Sequence, residues 1–318
     1  MAPIVIGIHG GCGTLDRSLL TEAQWAEARE HLARSLRAGW SLLAAGGSSV
    51  DAVEAAVMVM EDSPHFNAGY GAALNAAGEH ELDASIMDGS TLAGGAVCAA
   101  RRIRNPVKAA RAVMERSSNV LIAGAAADDF AAACGLQTVP NSYFTTERRV
   151  AALASLKARA EAGTIRMASE AEKHGTVGAV ALDRHGNLAA ATSTGGFNNK
   201  PVGRVGDSPI LGAGTYARNG VCAVSGTGQG EIFIRRAAAY DVAARMMYAG
   251  QSLQDAANAV IFDTLSSHKI GAGMVACDTS GNVYAPYNTL GMYRGWVTAD
   301  GELSVATHKD VHRLGRAI

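Results

Sequence analysis

Within His174-Gly175-Thr176-Val177-Gly178, a threonine opens a β-rich segment directly behind a polar stretch and a glycine. Gly175 has no Cβ, so the peptide ahead of Thr176 can bend toward the threonine's own hydroxyl. Attack of that hydroxyl on the Gly175 carbonyl carbon would form an ester, and hydrolysis of the ester would leave Thr176 as a new N-terminus. Its α-amine, with an ordinary pKa of about 7.7–8.0, is then a base for the same hydroxyl. The β-methyl restricts χ1 and holds the hydroxyl in place. A Gly-Thr pair equally suits a plain strand start, so neighbouring segments must discriminate.

Three segments bear on that choice. Thr192-Ser193-Thr194-Gly195-Gly196 ends the partner strand of a hairpin, which puts Thr194 beside Thr176 or simply supplies strand-end hydroxyls. Gly203-Arg204-Val205-Gly206-Asp207-Ser208-Pro209 offers one fixed cation and one anion. They form either a surface ion pair, worth about 0–1 kcal/mol, or a clamp for a zwitterion. In the clamp, Arg204 forks onto an α-carboxylate and Asp207 holds an α-ammonium. Ser225-Gly226-Thr227-Gly228-Gln229-Gly230-Glu231 leads straight into a helix whose Phe233, Ala237, Tyr240, Ala244 and Met247 are spaced as one face. A glycine-rich loop there is either a tight turn or a set of amides suited to a developing oxyanion.

The elements that must position these groups follow from periodicity and turn chemistry. Ile4–Ile8 reads as a buried strand ending in His9-Gly10-Gly11-Cys12-Gly13. Thr21 and Gln24 form a capping box that opens a helix to about Ala45, and Ser48–Asp51 opens a second, ending near Glu61. Residues 64–71 read as a loop. Strands at Glu81–Met87 and Leu92–Ala100 flank Asp88-Gly89. Pro106 behind Asn105 starts another helix, and Ala125–Cys134 and Thr146–Ala162 read as helical. Residues 163–175 are polar, without periodicity, and read as an exposed linker. Thr176–Leu182 with Leu188–Thr194, and Met274–Cys277 with Val283–Pro286, read as two hairpins, with helices at Glu231–Ala249 and Leu253–Leu265 between them. Strands at both ends with helices between predict a layered α/β/β/α sandwich.

Composition narrows the classes. Of 318 residues, 48% are hydrophobic and 18% charged, which suits a globular chain with a large core. The formal net charge is −1, and the densest basic cluster, Arg101, Arg102 and Arg104, reads as a solvated strand end or an interface, not a nucleic-acid footprint. The five cysteines contain no C-x-x-C pair and read as reduced thiols of a cytoplasmic protein. The N-terminus lacks the pattern of a signal peptide, and no run of about 18 apolar residues predicts a membrane span. Gly7–Gly13 does not fit G-x-G-x-x-G in register, which argues against a nucleotide-binding oxidoreductase. The nine histidines include no H-x-E or H-E-x-x-H pattern, so a metallo-amidohydrolase has no support.

Taken in order, the segments resemble the plant-type asparaginase/isoaspartyl aminopeptidase family of N-terminal-nucleophile (Ntn) hydrolases. The resemblance spans nearly the whole chain. It rests on Ile8-His9-Gly10-Gly11, Phe66-Asn67-Ala68-Gly69, Glu81-Leu82-Asp83-Ala84, Gly175–Ala181, Thr192–Gly196, Gly203–Pro209 and Thr227–Glu231. It implies a single four-layer αββα domain that cuts itself into 1–175 and 176–318 and assembles as an (αβ)2 heterotetramer. Thr176 is then the nucleophile and Thr194 its supporting hydroxyl, with the Thr227 hydroxyl and Gly228 amide as the oxyanion hole. Arg204 and Asp207 clamp an L-aspartyl group, Gly230 lines the pocket, and Asn67 lies near the active site. Backbone carbonyls of Met60, Glu61, Ser63, Phe66, Ala68 and Tyr70 match the family's sodium loop, although Ser63 stands where relatives usually carry a hydrophobic or Cys residue. The implied activity is hydrolysis of β-aspartyl dipeptides and L-asparagine through a β-aspartyl ester, without a cofactor in the chemistry. Glycosylasparaginase shares the fold and the threonine chemistry, but that group is typically exported and disulfide-bonded.

Overall fold

The structure, a computed structural model, describes residues 2–13, 15–162 and 175–317. Of the predicted linker at 163–175, residues 163–174 lie outside the described residues. The chain begins with β1 (Val5–Gly13), α1 (Glu22–Ala44), α2 (Ser49–Glu61), β2 (Leu82–Asp88), β3 (Gly94–Ala100) and α3 (Pro106–Arg116). It continues through β4 (Leu121–Ala123), α4 (Ala125–Ala133), α5 (Glu147–Glu161), β5 (Val177–Leu182), β6 (Leu188–Thr194), β7 (Thr215–Arg218) and β8 (Cys222–Gly228). Then come α6 (Gly230–Arg236), α7 (Ala238–Ala249), α8 (Leu253–Asn258), β9 (Ala272–Asp278), β10 (Val283–Tyr284), β11 (Gly291–Val297), β12 (Glu302–Ala306) and β13 (Val311–Arg316).

The strands form a nine-stranded sheet in the order β13-β12-β11-β1-β5-β6-β2-β3-β4 and a four-stranded sheet in the order β10-β9-β8-β7. Side chains of a strand alternate between its faces, and β5 and β6 follow that rule strictly. Val177, Ala179, Ala181, Ala189 and Ala191 join one core with residues of α1, α2 and α3. Val180, Leu182, Leu188 and Ala190 join a second core with β8, β9 and the helices that follow β8. The layers therefore run helix, sheet, sheet, helix, the expected αββα sandwich of the Ntn-hydrolase type.

Local signals hold where the expectation was local. The capping box of Thr21 and Gln24 is present on α1, and Pro106 takes the first turn of α3. Asn105 makes no capping bond; its amide donates to Asp62 instead, at 3.3 Å. Two expectations fail. The single helix over Glu231–Ala249 breaks at Ala237, which is left-handed at φ 46°, so the predicted apolar face is reset and Ala238, Ala239, Val242 and Ala243 are the buried residues of α7. Ser225–Gly228 is strand, not loop. A Cβ on Gly226 or Gly228 would lie 2.6 or 2.7 Å from the Phe233 ring, so these glycines admit an aromatic ring against β8 rather than marking a turn.

Candidate active site

The hairpin register places the first pair of hydroxyls. Val177 pairs with Ser193 across β5 and β6, so Thr176 falls opposite Thr194, at the end of both strands and on the face turned to the second sheet. Both are buried, and the Thr176 hydroxyl donates to that of Thr194 at 3.1 Å. Thr194 donates onward to the Gly175 carbonyl oxygen at 3.2 Å and accepts the Gly196 amide at 3.0 Å. The hydroxyl protons thus run from Thr176 through Thr194 to the carbonyl that Thr176 would attack.

Asn67 completes the surroundings of that carbonyl. Its Nδ2 donates to Gly175 O at 2.6 Å and to Gly196 O at 2.5 Å, and its Oδ1 accepts the Ala73 amide at 2.6 Å. Gly11 lies on the other side at φ 102°. A Cβ there would sit 2.7 Å from the Gly175 Cα and 3.0 Å from the Thr176 nitrogen, so β1 can approach this peptide only as glycine.

Thr227 and Gly228 end β8 on the second sheet and connect to this region through β1. The Cys12 amide donates to the Thr227 hydroxyl oxygen at 3.3 Å, and the Cys12 thiol donates to the Thr227 carbonyl at 3.4 Å. A hydroxyl that accepts an amide keeps its own proton for another acceptor. Beneath this level, Ser85, Thr215, Thr192 and Ser225 form a chain of buried hydroxyls with O···O distances of 2.8, 2.5 and 2.7 Å. It ends on His9 Nε2 at 2.9 Å from Ser225. Burial pushes the His9 pKa down to about 3, so this imidazole is neutral. The chain bonds β1, β2, β6, β7 and β8 across the two sheets.

The cation and anion of the 203–209 loop do not pair with each other. Both Nε and Nη2 of Arg204 lie 2.9 Å from Glu231 Oε1, and the guanidinium stacks over the Phe197 ring, 4.7 Å from its centroid. Asp207 is buried, and its Oδ2 has no hydrogen-bond partner. Burial pushes its pKa up to about 7, against the opposing pull of Arg204. Gly230 bridges the two groups: a Cβ there would lie 2.8 Å from Asp207 Oδ1 and 2.9 Å from Arg204 Nη2. The floor of this loop is also charged. The buried Lys200 ammonium donates to Glu81 O at 2.8 Å, and Asp83, paired in register with Thr194, is buried beside it. Burial draws the Lys200 pKa down and the Asp83 pKa up, each opposed by the attraction between them.

Sequence reasoning missed Gly11, Cys12, Phe197, Lys200 and Glu231 as parts of this region. Glu231 stood in plain view at the end of the Thr227–Glu231 motif and the start of a helix, but without a role. The basic cluster is neutralised as a structural feature: Arg101 pairs with Glu79 and Glu81, Arg102 with Asp128 and Asp129, and Arg104 with Asp62. Among the described residues, no helix is long and apolar enough to cross a membrane.

A threonine opening an inner strand of an αββα sandwich, behind a glycine whose carbonyl is held by two donors, defines the N-terminal-nucleophile class of hydrolase. The chain belongs to the asparaginase family, whose pattern matches residues 1–307. It is 48% identical to the isoaspartyl peptidase of Escherichia coli (strain K12), over 93% of each chain. It is 40% identical to a probable isoaspartyl peptidase/L-asparaginase of Arabidopsis thaliana, over 95% of this chain and 98% of that one. It is 41% identical to the human isoaspartyl peptidase/L-asparaginase, over 98% and 97%.

Proposed function

We propose that the chain cuts itself between Gly175 and Thr176 and then hydrolyses β-aspartyl dipeptides and L-asparagine. The observation that carries this reading is the path from the Thr176 hydroxyl through Thr194 to the Gly175 carbonyl. In the first reaction, Thr176 Oγ attacks the Gly175 carbonyl carbon, and Asn67 stabilises the oxygen as it takes negative charge. The C–N bond breaks, the Thr176 nitrogen takes a proton, and an ester remains. Water then cleaves the ester, giving Gly175 a carboxylate and restoring the Thr176 hydroxyl beside the α-amine already freed.

In turnover, that amine takes the Thr176 proton as Oγ attacks the side-chain carbonyl of the aspartyl group. Thr227 and the Gly228 amide donate to the oxyanion. The amine or ammonia leaves with the proton, a β-aspartyl ester forms, and water releases L-aspartate. Arg204 grips the substrate α-carboxylate with the donors Glu231 leaves unused, Asp207 takes the α-ammonium on its unpartnered Oδ2, and Gly230 lets both approach.

The reading extends to the sodium loop. The Tyr70 amide closes it by donating to Glu61 O at 2.7 Å, and Gly71, at φ 97°, lies under the carbonyls of Pro64 and Phe66. Arg148 takes the carbonyls of Pro64 and His65 from outside. A hard cation prefers such oxygen donors, and the residues that would hold it are Met60, Glu61, Ser63, Phe66, Ala68 and Tyr70. The ion would brace the loop that carries Asn67. We also assign the enzyme to the cytoplasm, in line with five free cysteines. We assign it an (αβ)2 assembly, in line with the exposed Ile234, Tyr248 and Phe262 on the outer helical layer.

Denaturing electrophoresis with mass spectrometry on freshly purified protein tests the first step, and a panel of β-Asp-Leu, L-asparagine, α-Asp-Leu and D-asparagine tests the second. The expected products are chains of 175 and 143 residues, together the 318 of the sequence, with turnover of the first two substrates only. Thr176→Ala should block both cleavage and turnover. An α-linked peptide has spent its α-carboxyl in the peptide bond, leaving Arg204 nothing to fork onto. Turnover by protein that stays full length would sink the mechanism, and efficient cleavage of α-Asp-Leu would sink the clamp.

A further inference from the structure

Away from the threonines, three side chains converge between α1 and the loop that follows α2. Glu27 and His31 stand one turn apart on α1, so both project from the same side of the helix. His65 comes from the loop and faces them. One ligand atom from each of the three lies within 4.8 Å of the other two. The His65 Nε2 is buried without a hydrogen-bond partner, yet it stands 3.4 Å from Glu27 Oε1. The two imidazole rings meet edge to face, 5.0 Å between centroids.

We propose that Glu27, His31 and His65 form a binding site for one divalent transition-metal ion of the zinc type, with a fourth position left to water. Two donors about 2.1 Å from a tetrahedral ion stand about 3.4 Å apart, which is the separation of His65 Nε2 from Glu27 Oε1. Two imidazoles and a carboxylate are the donor set of zinc, cobalt or nickel rather than of magnesium or calcium.

The backbone at His65 is set in advance. Its amide donates to Ser63 Oγ at 3.3 Å, and its carbonyl accepts Arg148 at 3.3 Å. Burial and the neighbouring His65 draw the His31 pKa down. Arg34 also faces His31, and the carboxylates of Glu27 and Glu30 oppose its charge there. The site differs in chemistry from the carbonyl loop beside it: its donors are side chains, and sodium does not compete for imidazole. An ion here would tie α1 to the segment two residues ahead of Asn67.

The test is zinc titration of the tag-free, chelator-treated protein, with all of residues 1–318 present whether cleaved or not, by calorimetry, with the cobalt(II) absorption spectrum as a second readout. The expected result is one saturable equivalent per chain, unaffected by excess sodium or magnesium, and a tetrahedral-type cobalt spectrum. His31→Ala and His65→Ala should each weaken binding by at least the roughly 10–100-fold that loss of an outer-shell partner costs, and the double variant should lose both signals. The wild-type spectrum does not depend on whether any variant folds. No saturable uptake by the wild-type chain, or uptake unchanged in the double variant, would overturn the proposal.

Discussion

Arg204 is held by Glu231: two of its nitrogens lie 2.9 Å from one carboxylate oxygen, while Asp207, three residues along the same loop, stays unpaired with it. Glu231 thus fixes the orientation of the guanidinium that the proposed clamp uses. Glu231→Ala should loosen that orientation and raise KM for L-asparagine about fivefold, corresponding to roughly 1 kcal/mol for a partly exposed ion pair, with kcat little changed. Arg204→Lys should cost more, about 1.5–3 kcal/mol in kcat/KM, because an ammonium cannot replace a planar fork. Steady-state kinetics on both variants decide the matter. An unchanged KM in Arg204→Lys would make Arg204 a surface ion-pair partner only.

Gly11→Ala should slow the proposed self-cleavage. Its φ of 102° disfavours any residue with a Cβ, and the added carbon would land 2.7 Å from the Gly175 Cα. A strain of at least about 1–2 kcal/mol, delivered at the bond to be cut, corresponds to roughly tenfold slower cleavage. Electrophoresis over time, with circular dichroism to check folding, measures it. Cleavage of the folded variant at the wild-type rate would mean that the close approach of β1 has no part in self-processing.

With Asp207 in the proposed clamp, substrate binding should be pH-dependent. Burial holds its carboxyl up at about 7 in the free protein, and an ammonium docking on it favours the ionised form. Binding should therefore release a proton below pH 7, and KM for L-asparagine should fall as pH rises through about 7. For folding, the sign is the reverse. A raised carboxyl pKa adds stability that is fully present below the unfolded-state value and lost as pH rises through about 7. Calorimetry in two buffers of different ionisation enthalpy reads the released proton directly. In Asp207→Asn the proton release should vanish; if it persists unchanged, another group is responsible.

Much of this was legible in the chain because it is local. The hairpin of β5 and β6 needs only alternation and the Asp183–Asn187 turn, and its register alone sets Thr176 opposite Thr194. The helix starts at Thr21 and Ser48 are likewise written in a few neighbouring residues. Tertiary structure alone decided the rest, because those contacts cross between sheets or between distant loops. Cys12 meets Thr227 across 215 positions of sequence, Asn67 reaches Gly175 across 108, and nothing at either end of such a pair encodes the distance to the other. Glycine was ambiguous for the same reason. At Gly226 and Gly228 it makes room for the Phe233 ring within a strand, and at Gly11 it makes room for the Gly175–Thr176 peptide. Pattern alone cannot tell a turn from a close approach, because what a missing Cβ admits depends on which neighbour the packing of the two sheets brings there.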